Sequence, residues 1–383
     1  MNNKNYAESH PVLKVSAKRF DSSPFMKRFD NSKTIFGIYA GRFYPLSCGN
    51  SVENDYWNLK QKVMLYDVPE KPLEISGPDS LILLENIFTR RVHDLEPMRA
   101  RYMLACSEDG GIVMDGILIR LSTKKFWYIH ANGDFEIWLL AHKKNLDVNI
   151  RDPKSAVLQI QGPNALKVLT SACPNLNLDK FKYFHADFLN INGTEFLVSR
   201  TGWTGELGFE IYTNSPEDDH LGLWDYLIDK GKEYGISAGS LDSMGIRRIE
   251  AGILDYGTDM NRTHTPFEIG LAKFVDLKKD KFIGRNSLIT MYKGSKFFGI
   301  KCSETIPFAG LDILHETHTV GKTTVGAFSP FLNTGIGYVY FNNHNNWANE
   351  KLFLRSNEKT LYECTVVPLP FYDAGKAIPK GLN

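Results

Sequence analysis

Runs of apolar residues alternate along this chain with glycine- and proline-marked breaks. Gly111-Ile-Val-Met-Asp-Gly-Ile-Leu-Ile-Arg-Leu121 predicts a turn followed by a mostly buried strand, and Lys125–Ala131 predicts its hairpin partner across a Ser-Thr-Lys turn. Thr194–Arg200 and Phe209–Tyr212 predict two strands that flank a glycine-rich corner. Leu221–Gly231 sets Leu223, Trp224, Leu227 and Ile228 on one side, and Ser240–Gly252 sets Leu241, Ile246, Ile249 and Ile253 near helical spacing, so both predict helices. Ile75-Ser-Gly-Pro-Asp-Ser-Leu81 is similar to Ile160-Gln-Gly-Pro-Asn-Ala-Leu166. Each follows a strand-like segment and precedes a helix-like run, because Gly-Pro breaks a strand and proline suits the first turn of a helix. The pair predicts two related α/β subdomains. Beyond about residue 290 short strand-like runs dominate, among them Phe297–Lys301, Gly337–Phe341 and Glu363–Val367, which predicts a small β-rich C-terminal domain.

Length agrees with several units: 383 residues exceed the roughly 250–300 that one core sustains. Apolar residues at 43% and charged residues at 23% are ordinary for a globular protein. Lys plus Arg number 45 against 44 Asp plus Glu, so the formal charge of +1 gives no reason to expect nucleic acid or an anionic membrane as partner. No stretch approaches the roughly 18–20 apolar residues that span a bilayer. The N-terminal twenty residues are polar and lack the apolar run of a secretory signal, which predicts a loose arm on a cytoplasmic protein. Cys48, Cys106, Cys173, Cys302 and Cys364 are scattered and form no C-x-x-C pair, as expected of reduced thiols rather than disulfides or a zinc site. Cys106 reads as a small buried thiol.

Three segments carry candidate chemistry. Ser199-Arg-Thr-Gly-Trp-Thr-Gly-Glu-Leu-Gly-Phe-Glu-Ile211 holds three glycines that permit close backbone approach or sharp turning, with Trp203 in the middle. Glu210 alternates to the face opposite Phe209 and Ile211, so it either lines a cavity or decorates a hairpin. In Glu108-Asp-Gly-Gly-Ile-Val-Met-Asp-Gly-Ile117, Asp115 interrupts an apolar strand, which is costly unless the carboxylate is paired, used or at a surface edge. Ile246-Arg-Arg-Ile-Glu-Ala-Gly252 places Arg247, Arg248 and Glu250 on a helix as a solvated face or an internal ion pair, and Asp255-Tyr256-Gly257 reads as the helix stop.

Together these segments resemble the folate-dependent aminomethyltransferase family, which includes the glycine-cleavage T-protein and tetrahydrofolate-dependent demethylases. The matching residues are Arg200–Glu206, Gly110–Asp115, Arg248–Gly252, Thr265-Pro-Phe-Glu-Ile-Gly-Leu271, Phe282-Ile-Gly-Arg285, Phe328-Ser-Pro330 and Leu369-Pro-Phe-Tyr-Asp373, in order over nearly the whole chain. The resemblance implies an α+β, three-domain ring around a central folate channel. Its domains would be residues 1–60 with 150–280, residues 61–149, and a β-barrel-like domain over 290–383. It implies tetrahydrofolate as cofactor, with Asp115 as the essential carboxylate beside the reactive nitrogens and Glu210 pairing with the pterin. Tyr102, Trp203 and Arg248 would complete the folate site.

The chain also departs from the T-protein pattern. Trp203 stands where tyrosine is usual, Ser243-Met244-Gly245 replaces an Ala-Arg-Asp run, and Met114-Asp115 keeps one of two aspartates. Ser23-Pro24-Phe25, the Tyr39 region, Tyr56-Trp57 and Ile253–Gly257 are more similar to the demethylase branch, dimethylsulfoniopropionate-demethylase-like. The expected reaction is methyl transfer from a small methylated donor to tetrahydrofolate. A cationic donor would rest on the faces of Trp203, Tyr39 or Tyr256, and Tyr39 and Tyr256 are the acid candidates for an O-methyl donor. Aminomethyl transfer and a non-catalytic folate-binding module are the alternatives. The pattern says nothing of oligomeric state.

Overall fold

A computed structural model describes residues 20–130, 133–177 and 181–382. All but the last residue of the polar N-terminal arm lie outside the described residues. Two mixed units and a barrel follow from the strand pairings.

The first unit is built on a six-stranded sheet in the order Ala186–Ile191, Thr194–Ser199, Gly208–Tyr212, Val157–Gln161, Val63–Val68, Ile236–Gly239. Its neighbours pair antiparallel except the last two, which run parallel. Val63–Val68 is buried at every position because it has a strand on each side and helices or a second unit on its faces. That strand falls within residues 61–149, which the sequence reading assigns to the middle unit; its hydrogen bonds place it in the first. A three-stranded sheet, Asp21–Ser22 with Arg42–Ser47 and Ile35–Tyr39, lies beside this unit, and Phe25 and Phe29 enter its core.

The middle unit has a five-stranded antiparallel sheet in the order Arg99–Cys106, Ile112–Ser122, Lys125–His130, Lys71–Ser76, Asn149–Arg151. The third is a closed six-stranded barrel that begins at Phe297 and ends at Val367.

The internal likeness has a common geometry. Gly77 and Gly162 take φ of 125° and 128°, and helices Ser80–Ile87 and Ala165–Ala172 follow. Added Cβ atoms there would meet Asp147 O at 2.5 Å and Lys62 O at 2.6 Å. Glycine therefore serves both the conformation and the close contact. Pro78 and Pro163 precede the caps Asp79 and Asn164 rather than opening the helices, so their rings set the turn before each helix.

Each unit touches the other two, which makes a ring. Met64, Tyr66, Val157 and Tyr212 of the first sheet pack against Ala100, Ile119, Trp127 and Ile129 of the second. Leu104, Cys106 and Ile112 of the second join Phe297, Ile336 and Tyr338 of the barrel. Helix Leu241–Glu250 of the first unit reaches the barrel through Glu250, which accepts hydrogen bonds from Ser329 Oγ at 2.6 Å, Tyr56 Oη at 2.7 Å and Tyr372 Oη at 2.6 Å. The helix stops at Gly252, whose φ is 65°, and Asp255–Gly257 lies in the loop beyond it, where the sequence reading places the stop itself. The five cysteines carry no disulfide, and burial pushes the Cys106 thiol up to about 12. No helix among the described residues is long and apolar enough to cross a membrane.

Candidate active site

Asp115 stands where the second strand of the middle sheet passes Leu104 of the first. The flanking glycines answer to space rather than to flexibility. A Cβ on Gly116 would lie 2.3 Å from Ile129 O, and one on Gly111 would lie 2.1 Å from Arg262 O. Gly110, at φ 85°, makes the tight turn ahead of the strand. Tyr102 Oη donates to Asp115 Oδ2 at 2.8 Å. Burial raises the Asp115 carboxyl to about 7; the Tyr102 bond opposes this and the Asp255 charge adds to it. Asp115 keeps partial exposure.

Tyr256 and Tyr39 come to the same neighbourhood from other elements. Burial and the Asp115 charge raise Tyr256, whose hydroxyl donates to Ile112 O at 3.4 Å. Tyr39 Oη donates to Asp255 Oδ1 at 2.6 Å; burial pushes it up, and the charges of Asp255, Glu70 and Asp115 push further.

Glu210 forms the other pole. Its Oε2 accepts from Thr201 Oγ1 and Tyr212 Oη at 2.6 Å each and from Ser199 Oγ at 3.4 Å, while Oε1 accepts from Gln159 Nε2 at 2.8 Å. Gln159 Nε2 also donates to Glu70 Oε1 at 3.0 Å, so one amide bridges two carboxyls. Burial raises both, and Glu210 raises Glu70 further. Among the described residues Glu70 Oε2, Gln159 Oε1 and Asp67 Oδ2 are buried acceptors without a hydrogen-bond partner. Such a patch suits a ligand edge rich in N–H donors, as the amino-pyrimidine of a pterin is.

The glycine-rich corner has a different use from the one its composition suggests. Cβ atoms on Gly202 and Gly208 would approach the Gln161 amide to 2.2 and 2.3 Å, and one on Gly205 would approach Ala251 Cβ to 2.5 Å. The close partner is protein. Trp203 is half-buried and receives the Arg248 guanidinium 5.3 Å from its ring centre. Arg248 is buried, paired with Asp259, and donates to Ile253 O at 3.2 Å. Arg247 pairs with Glu206 at 2.7 Å and with Glu250 at 3.5 Å, so the charges on this helix form an internal ion network.

The structure thus joins Tyr102, Asp115, Tyr256 and Tyr39 in one group and Trp203 with Arg248 in another. Glu210 lies with Glu70, whose charge Tyr39 also feels. Sequence reasoning misses Glu70, Gln159 and Asp67, and treats Asp255 as part of a helix stop. Gln159 carries a signal, being one of two glutamines in an otherwise apolar strand; Glu70, in a proline-flanked turn, carries none. Among the described residues no group of three or more His, Cys, Asp or Glu side chains is placed to hold a metal ion.

Comparison with known proteins follows this geometry. The description GCVT N-terminal domain matches residues 32–279, and Glycine cleavage T-protein C-terminal barrel domain matches residues 296–373. An aminomethyltransferase of Clostridium botulinum (strain Okra / Type B1) is 33% identical over 297 residues, covering 74% of this chain and 79% of that protein. An aminomethyltransferase of Caldanaerobacter subterraneus is 31% identical over 318 residues, covering 80% and 83%. The crystal structure of glycine cleavage system aminomethyltransferase T from Bartonella henselae superposes with a TM-score of 0.83 at 23% identity, over 92% of this chain and 98% of that one, which shows the shared fold. The chain therefore belongs to the glycine-cleavage T-protein family of folate-dependent one-carbon-group transferases.

Proposed function

We propose that this enzyme moves a methyl group from a small, cationic methylated donor to tetrahydrofolate. The observation that carries this reading is that Tyr39 donates to Asp255 at 2.6 Å and feels the charges of Asp255, Glu70 and Asp115, while Tyr256 feels that of Asp115. Carboxylates and aromatic faces together suit a sulfonium or methylammonium centre. The chain's departures at Met114, Trp203 and Met244 support the demethylase branch, and Met114 and Met244 are both core residues here.

Tetrahydrofolate supplies the nucleophilic nitrogen. A bond forms between that nitrogen and the methyl carbon, the bond from methyl to the donor's sulfur or nitrogen breaks, and its electron pair stays with the departing heteroatom. The proton on the attacking nitrogen passes to Asp115, which is poised for this by its raised carboxyl. Glu210, Gln159 and Glu70 orient the pterin edge, and Tyr102 holds Asp115 in place. Trp203 provides a face for the ligand, and Arg248 positions that ring.

Aminomethyl transfer is the second reading. Its support is the name borne by relatives 31–33% identical to this chain. Incubating the pure protein and tetrahydrofolate with onium, methylamine and aryl-methyl-ether donors separates the two. Methyl-tetrahydrofolate without ammonia is the expected product, whereas methylene-tetrahydrofolate with ammonia from a carrier-bound aminomethyl group gives the second reading instead. Asp115→Asn is expected to lower kcat by about 100- to 10,000-fold while much folate affinity remains. Because the carboxylate is the active form, wild-type kcat/KM should rise with pH through about 7. Intact turnover in Asp115→Asn removes its assigned role.

A further inference from the structure

The barrel holds a pair of thiols that the chemistry above does not use. Its first strand, Phe297–Cys302, and its last, Leu361–Val367, close the barrel by pairing with each other. They run antiparallel, with Gly299 opposite Val367, Ile300 opposite Val366 and Lys301 opposite Thr365. Continued by one residue, that register sets Cys302 opposite Cys364. Ile300 and Val366 are buried in the barrel core, and a step of two along each strand returns the side chain to the same face. Cys302 and Cys364 accordingly lie in that core, each 1% exposed.

Residues directly opposite in antiparallel strands have Cα atoms about 4.5–5.5 Å apart, inside the roughly 4.4–6.8 Å that a disulfide spans. Cys302 Sγ donates to Glu363 O at 3.3 Å, so the sulfur already reaches the facing strand beside Cys364. The two thiols also interact electrostatically. Among the described residues no other two cysteines face each other across paired strands, since Cys106 lies opposite Ile112 and neither Cys48 nor Cys173 is in a strand.

We propose that Cys302 and Cys364 are a redox-responsive pair, which a small-molecule disulfide such as oxidised glutathione converts to a cross-strand disulfide that staples the closing seam of the barrel. One thiolate attacks the small disulfide and forms a mixed disulfide, and the other displaces the small thiol from it. One S–S bond forms within the protein and one breaks in the oxidant. The two protons and two electrons given up by the cysteines leave with the two small thiols. Burial pushes the Cys364 thiol up to about 12, so exchange waits on opening of the seam.

The position of the bond gives it a structural consequence. The last strand leads directly into the closing segment, where Tyr372 Oη donates to Glu250 Oε2 at 2.6 Å and Phe371 N–H donates to Glu250 O at 3.1 Å. A staple at Cys364 fixes the strand from which that segment departs. It also joins residues far apart along the chain, where a cross-link removes the most freedom from the unfolded state.

Incubating the full chain with oxidised glutathione tests it, with one portion alkylated and digested without reductant and another melted. The expected product is lighter by a pair of hydrogens and yields a peptide in which Cys302 is linked to Cys364. Its melting temperature should rise by about 5 °C, a gain that dithiothreitol reverses and that Cys364→Ala never acquires. The same incubation in urea just below the unfolding midpoint should speed the linkage by opening the seam. If both cysteines stay open to alkylation in either condition, or carry glutathione without becoming linked, the pair is not a redox site and the proposal is overturned. A linked product that melts below the reduced protein overturns the staple.

Discussion

Asp67 is the penultimate residue of Val63–Val68, a strand buried at every position, and one of its carboxylate oxygens lacks a hydrogen-bond partner. Burial raises it to about 7, against weaker lowering by Ser23 and Arg42. The consequence for stability has a definite sign. A carboxyl that holds its proton more tightly in the folded chain than in the unfolded one contributes stability below the unfolded value, near 4, and loses it as pH rises through about 7. Asp67→Asn removes that loss. Its melting temperature should match the wild type near about pH 4 and exceed it near about pH 8, by an amount equivalent to about 2 kcal/mol. A constant difference between the two pH values would show that Asp67 is not the group responsible. The Asp115 carboxyl, up at about 7 from burial, follows the same rule, so the site itself costs stability at neutral pH.

Strands and turns explain why single glycines matter in this fold. The hairpin of Ile112–Ser122 with Lys125–His130 carries Asp115, and its register sets Ile117 opposite Ile129. A methyl on Gly116 would meet Ile129 O at 2.3 Å and the Tyr128 ring at 2.9 Å, so the partner strand must move. Gly116→Ala should destabilise the protein by about 1–3 kcal/mol in urea and displace Asp115 from Tyr102, lowering kcat as well. Wild-type stability in that variant would contradict the contact. The strands at Ile112, Lys125, Thr194 and Gly208 were legible from β-branched and aromatic runs bounded by glycine-marked turns, and the helices at His220 and Leu241 from apolar residues at helical spacing. Val63–Val68 was not placed, because an apolar run without alternation and without a glycine turn at either end does not distinguish a buried strand from a helix.

At the scale of the whole molecule the ring closes on Glu250. Its carboxylate joins Tyr56 of the first unit, Ser329 of the barrel and Tyr372 of the closing segment, with Arg247 as counter-charge. Glu250→Gln keeps the shape and removes the charge, which leaves Arg247 with Glu206 as its main partner. The variant should lose about 3 kcal/mol, and its barrel should unfold separately from the two mixed units, seen as two transitions in place of one. A single unshifted transition would mean that the three units are held by their apolar contacts alone.

The sequence by itself determined the periodic elements, the two related strand–turn–helix units, the barrel-like end and the family, and with the family the identities of Asp115 and Glu210 as the residues to watch. These are local patterns or ordered motifs, and both survive without coordinates. Only the tertiary structure decided which residues join them. Glu70 reaches Glu210 through Gln159, Asp255 reaches Tyr39, and Arg248 is drawn away to Asp259. Those partners are far apart along the chain or sit in unremarkable turns, and a carboxyl's proton affinity depends on what surrounds it in space rather than on its neighbours in sequence.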